Sequence, residues 1–179
     1  TAQTQPDIFL PIFAPGLNVT FTAPSNGAIF NVGDSTTISA DCSISTSLEL
    51  SVNGSTTPIA TATANTISTN YTFNASGNYT FTVFADNGNN TATDQVNVYV
   101  PATTQNIAQP ANLKNGVNEN ADGSVTFLLT APLKSDVMLI GSFSNWDLLT
   151  QYQMNKDGDD FWVTIPSTEF TAGTDFMYQ

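Results

Sequence analysis

Histidine and arginine are absent from this sequence, and three lysines stand against fifteen aspartates and glutamates. Without histidine there is no Ser-His-Asp or Cys-His nucleophilic machinery and no His-ligated zinc or iron site. A formal net charge of -12 leaves almost nothing to neutralise phosphates, which argues against nucleic acid or an anionic membrane surface as partner. The single cysteine, Cys42, cannot close an internal disulfide, so it is expected as a small buried apolar group. No stretch approaches the roughly 18 apolar residues of a transmembrane helix, so no direct membrane insertion is expected. Charged residues are only 10% of the chain, against the usual figure of about a quarter. Solubility must therefore come from Thr, Ser and Asn. That habit suits a secreted or cell-surface β-protein, the periplasm included.

What is present is alternation. Residues 1–16, with Pro6, Pro11 and Pro15, read as a leader, since the prolines would interrupt any helix. Residues 17–100 carry a period of two in Asn18–Thr22, Thr36–Cys42, Ser47–Asn53, Pro58–Thr61, Ile67–Phe73, Asn78–Ala85 and Thr91–Val100. Turn signals separate many of them: Pro24–Gly27, Gly33-Asp34, Asn53-Gly54, Gly77 and Asn87-Gly88. About seven short strands at this spacing predict an immunoglobulin-like sandwich. Cys42 shares the inward phase of its strand with Ile38 and Ala40.

Residues 101–111, rich in Pro, Gln, Asn and Ala, read as a linker. Residues 112–179 predict a second β-domain, with Leu113 and Val117 as anchors ahead of it. Its expected strands are Ser124–Thr130, Asp136–Gly141, Gln151–Asn155, Phe161–Ile165 and Asp175–Gln179. The last of them runs to the end of the sequence, so this sandwich is expected to be incomplete. The fold class is all-β: two tandem β-sandwich domains.

Within the second domain Trp146 follows a polar turn, Ser142–Asn145, where an indole is readily held in solvent. A flat indole stacks on the apolar face of a pyranose, so Trp146 is either a sugar platform or a core and edge aromatic. Trp162 opens a strand and admits the same two readings. Asn155–Asp160 places Asp157, Asp159 and Asp160 around Gly158. Calcium accepts such oxygens, but the segment is shorter than an EF-hand loop and lacks its terminal Glu, which favours a solvated hairpin turn. The other carboxylates are scattered over turns and strand ends, so none is assigned to catalysis and no cofactor is expected.

Two resemblances add to this. Ala23-Pro24-x-x-Gly27-x-x-Phe30-x-x-Gly33-Asp34 and Tyr71-x-Phe73-x-x-x-Gly77-x-Tyr79 resemble the bacterial Ig-like and cadherin-like repeats of secreted enzymes and adhesins. Val125-x-Phe127-x-Leu129, Val137-x-Leu139-Ile140-Gly141-x-Phe143-x-Asn145-Trp146, Phe161-Trp162-x-Thr164 and Phe176-x-Tyr178-Gln179 resemble another module. It is the N-terminal E-set domain, of carbohydrate-binding family 48 or glycogen-binding type, on α-amylase-family (glycoside hydrolase family 13) enzymes of the Bacteroidetes. The resemblance implies an E-set Ig-like fold and an α-glucan partner. It also implies a catalytic domain beyond the C-terminus and sugar contact by Trp146, with Asn145, Lys156 and Gln179 as polar neighbours. Gln179 stands where the glycogen-binding relatives carry a contact lysine, and their second platform tryptophan lies beyond the last strand present here. The alternatives are a structural or adhesive spacer of a cell-surface protein, and a surface glycan-binding protein without an attached enzyme.

Overall fold

The protein is described by a computed structural model covering residues 16–179 apart from 172 and 174; most of the expected leader lies outside the described residues. The chain is all-β, two Ig-like β-sandwiches in tandem.

The first sandwich contains β1 (Val19–Ala23), β2 (Ala28–Ile29), β3 (Ser35–Val52), β4 (Ala60–Thr72), β5 (Gly77–Asp86) and β6 (Thr91–Val100). Two pairs of expected strands are each continuous. Thr36–Cys42 and Ser47–Asn53 form β3, because the polar residues between them include neither Gly nor Pro. Pro58–Thr61 and Ile67–Phe73 merge into β4 in the same way, with Pro58 left outside the strand. The register of β3 shifts between Asp41 and Thr46. Before the shift β3 pairs with β1, and after it with β5, so one sheet in the order β1-β3-β5-β6-β2, with β4 beside β3, folds over into two layers.

The inward residues of both layers make the core: Val19, Ile38, Ala40, Leu48, Leu50, Phe81, Val83, Val96 and Val98 are buried. Phe73 is fully buried, with the rings of Phe30, Tyr79 and Tyr71 at 4.8, 5.0 and 5.4 Å. The Tyr79 hydroxyl donates to the Ala75 carbonyl at 2.8 Å and ties down the turn into β5. Asp94 reaches across the layers, accepting the Phe21 N–H at 2.9 Å. Cys42 is free and buried, as its phase with Ile38 and Ala40 predicts. Cys42→Ser is expected to destabilise this sandwich by about 1–3 kcal/mol, since a hydroxyl replaces an apolar contact. The check is denaturant unfolding with thiol labelling. Native Cys42 that reacted as fast as in denaturant would contradict its burial.

The second sandwich has one regular sheet, β7-β8-β10-β9, built from β7 (Gly116–Glu119), β8 (Val125–Thr130), β9 (Asn155–Asp157) and β10 (Asp160–Ile165). Val117, expected only as an anchor, lies on β7. Phe161, Val163 and Ile165 on β10 enter the core with Phe127, Leu139, Tyr152 and Met154. The opposite layer is irregular. Asp136–Gly141, Gln151–Asn155 and Asp175–Gln179, expected as strands, meet one another among the described residues at isolated bridges, Met138 with Gln153 and Gly141 with Tyr178, and only Asn155 of them enters a regular strand, β9. Short 3-10 turns at Ser142–Ser144 and Thr150–Tyr152 cut these ladders before they extend.

The turn between β7 and β8 is organised by Asp122, whose carboxylate accepts the Ser124 hydroxyl at 2.6 Å and the Ser124 N–H at 3.0 Å. These bonds, the hydroxyl's first, hold the Asp122 carboxyl below its ordinary value. A depressed folded-state pKa contributes stability above the unfolded pKa of roughly 4 and loses it as pH falls through the folded value. Protection of the Ser124 amide is therefore expected to drop in that acid window, and Asp122→Asn to remove the drop. Amide exchange across the window checks it; identical profiles would refute the assignment.

Segment 101–111 is strapped to the second sandwich. Lys156 N–H donates to the Gln105 carbonyl at 2.8 Å and Ile107 N–H to the Lys156 carbonyl at 3.0 Å. Gln153 bonds both the N–H and the carbonyl of Ala102. The junction is closed by Tyr99, which points outward from β6 yet is only 3% exposed, its hydroxyl donating to Met138 Sδ at 3.4 Å.

Candidate functional site

The Gly141–Trp146 turn is built residue by residue. A Cβ on Gly141 would stand 2.5 Å from the Met177 carbonyl oxygen and 2.5 Å from the Phe143 ring, so only glycine fits. Phe143 turns inward, its ring 5.1 Å from that of Tyr152. Ser144 is buried, and its hydroxyl both accepts the Gly141 N–H at 3.2 Å and donates to the Gly141 carbonyl at 3.1 Å. Asn145 then takes the left-handed conformation (φ 50°) that asparagine tolerates. Trp146 follows at φ 65°, where a bulky residue is a genuine outlier costing about 1–3 kcal/mol. Its N–H donates to the Gly141 carbonyl at 2.9 Å, and the side chain is left 45% exposed. Strain of this kind persists where surrounding bonds over-determine it, and it gathers at ligand clamps.

Trp146 lines a groove of about 420 Å³ between the two sandwiches. Across from it stand Asn26, Asn78, Thr80 and Asn97, with Tyr99 at the junction. The groove brings together none of Asn145, Lys156 and Gln179 with Trp146. Asn145 is exposed on the turn itself. Lys156, on β9, donates through Nζ to the Lys134 carbonyl at 2.5 Å and sits 5.1 Å over the Phe161 ring. Gln179 pairs through its backbone with Ile140 and lines a separate apolar hollow with Leu129, Met138 and Tyr178. Trp162 donates its indole N–H to the Ile107 carbonyl at 2.9 Å and so helps hold the strap.

The acidic turn is a hairpin, with Gly158-Asp159 joining the paired residues Asp157 and Asp160 and Gly158 at φ 63°. Asp157 accepts the Gln109 N–H at 3.0 Å, and Asp160 accepts the Gln109 amide at 3.1 Å and the Thr130 hydroxyl at 2.6 Å. Among the described residues, no group of three or more His, Cys, Asp or Glu is placed to hold a metal ion. Asn26, Asn78, Thr80 and Asn97 were missed in the sequence because they belong to the other sandwich. The signal for Asn78, Thr80 and Asn97 is the outward polar phase of β5 and β6, which ends in an aromatic residue, Tyr99, while Asn26 lies in the turn between β1 and β2.

Residues 18–83 match the bacterial Ig domain family. Among curated proteins, the chain is similar to the 1,4-alpha-glucan-branching enzyme of Yarrowia lipolytica, 43% identical over 54 residues. That stretch is 30% of this chain and 8% of the enzyme, so the chain spans a small fraction of this relative. Among solved structures it is similar to the endo-beta-1,4-mannanase of Thermotoga petrophila, with TM-score 0.39 and 10% identity over 50% of this chain and 20% of that one. The fibronectin(III)-like modules of Clostridium thermocellum CbhA align with TM-score 0.38 and 23% identity, over 46% of this chain and 93% of theirs. Among the described residues no helix is long and apolar enough to cross a membrane.

Proposed function

We propose that these sandwiches are non-catalytic accessory modules of a secreted or cell-surface enzyme acting on α-glucan. The second sandwich would be of the carbohydrate-binding family 48 type and the parent enzyme of the α-amylase family. The observation that carries this is Trp146: a strained turn anchored by Gly141, Phe143 and Ser144 keeps a large apolar ring in solvent. The 43% identity over 54 residues to an enzyme named for a 1,4-alpha-glucan reaction supports the substrate class. A second role, packing on a catalytic domain that follows in the same protein, is supported by Leu129 and Tyr178. Both are exposed around an apolar hollow of about 260 Å³.

One aromatic stacked on a sugar contributes about 1–2 kcal/mol, by analogy with other exposed aromatic stacks. The expected dissociation constant for maltoheptaose is therefore about millimolar or weaker. Titration followed by tryptophan NMR shifts tests it: the Trp146 indole should move, the strapped Trp162 should not, and Trp146→Ala should lose binding. A variant that bound as well as the parent protein would remove the platform. The spacer reading rests on the bacterial Ig domain match at residues 18–83, and a chain with no affinity for glycans would favour it.

A further inference from the structure

We propose that the glycan site is composite, with the Ig-like sandwich supplying the polar contacts and the second sandwich the indole; this rests on the carbohydrate reading above. The register of β5 and β6 sets Thr80 opposite Asn97 and Asn78 opposite Tyr99, with these side chains on the outward face. Directly opposed residues lie about 5 Å apart, so Asn78, Thr80 and Asn97 form one polar patch facing the groove.

The hydrogen bonds within this patch fix its side chains and leave donors over. Thr80 Oγ1 donates to Asn97 Oδ1 at 2.7 Å, which orients the Asn97 amide; among the described residues its Nδ2 group has no partner. Asn26 Oδ1 accepts the Asn97 backbone N–H at 2.9 Å, which does the same for Asn26. Asn78 is exposed, and among the described residues its amide has no partner. Three carboxamides therefore offer N–H groups to the groove, two of them held in place by bonds already made. Preorganised donors lose little entropy on binding.

The ligand class follows from what the groove contains. At about 420 Å³ it falls within the range of roughly 300–1,000 Å³ usual for small-molecule sites. Its lining includes one carboxylate, Asp147, and no lysine, and the whole chain carries a net charge of -12. An acidic ligand finds no counter-charge there. Amide donors and acceptors beside one aromatic face suit a neutral, hydroxyl-rich ring. The occupant is an uncharged oligosaccharide that touches both sandwiches.

The test uses the full chain, with maltoheptaose and cellohexaose as probes at up to tens of millimolar, followed by NMR shifts of side-chain amides and indoles. The Asn78 and Asn97 Nδ2 signals should move together with the Trp146 indole. Asn78→Ala, which breaks no bond in the fold, and Asn97→Ala should each weaken binding about two- to tenfold, the range expected for one hydrogen bond. Binding lost with Trp146→Ala but untouched by either asparagine variant would confine the site to the second sandwich. That result overturns the composite site and leaves the carbohydrate reading standing. If neither probe moves any of these signals, both fall together.

Discussion

Phe73→Ala is expected to destabilise the Ig-like sandwich by about 3–5 kcal/mol, the range for deleting a buried aromatic ring. Phe73, directly after β4, is fully buried, with four other rings within 6.3 Å. Its backbone is fixed at both polar groups, accepting from Gly33 at 2.7 Å and donating to Asp34 at 3.0 Å. The segment therefore cannot slide to fill the space a lost ring leaves, and poor relaxation places the effect high in its range. Domains hold only about 5–15 kcal/mol in total, so the unfolding midpoint of this sandwich should fall far in denaturant, or the sandwich should not fold at all. Phe84 on the same sheet is the control: it is 38% exposed, and Phe84→Ala should stay within about 1 kcal/mol. Similar losses for both variants would refute the view that the buried Phe73 ring carries this stability.

Gly141→Val should unfold or strongly loosen the second sandwich while leaving amide protection in the first sandwich largely unchanged. The conformation itself is not the obstacle, because Gly141 is extended at φ 179°. Space is the obstacle. The first added carbon would already lie 2.5 Å from the Met177 carbonyl oxygen, and valine adds two more. Overpacking typically costs about 1–3 kcal/mol where neighbours can give, and more where they cannot. Here one neighbour is backbone, held by the Ser142 N–H bond to that same carbonyl at 2.9 Å and by the Gln179–Ile140 pair. Relief means expelling residues 175–179, which uncovers Phe127 where the Tyr178 ring packs at 4.9 Å. We expect a loss of about 3 kcal/mol, read as lost amide protection at Gln179 and Ile140. A Gly141→Val protein with unchanged protection there would show that the close approach is not a constraint.

Much of the architecture was legible from alternation alone. β5 and β6 sit within a residue of their expected bounds and Cys42 is buried on its expected phase, whereas alternation left open which face of β10 is buried, and the structure turns Phe161, Val163 and Ile165 inward. The legible features depend on period two and on turn residues, which are local. The turn that exposes Trp146 was also local, since Ser, Asn and a following bulky residue occur in sequence order. Where reading failed, the deciding contact was distant. Strand-like patterns at 136–141, 151–155 and 175–179 reflect half-buried surfaces, but continuous pairing needs partners that run on, and the 3-10 turns interrupt them.

The sequence by itself determined the all-β class, the two sandwiches and the buried phase of strands such as β5 and the part of β3 that carries Cys42. Only the tertiary structure decided what stands around Trp146. Lys156 and Gln179 line no groove with it, while Asn26, Asn78, Thr80 and Asn97, far away in the chain, do. The physical reason is that periodicity records which face of a strand is buried and not which other domain covers it. Tyr99 shows this most plainly: its phase points to solvent, and the packing of the second sandwich buries it against Met138.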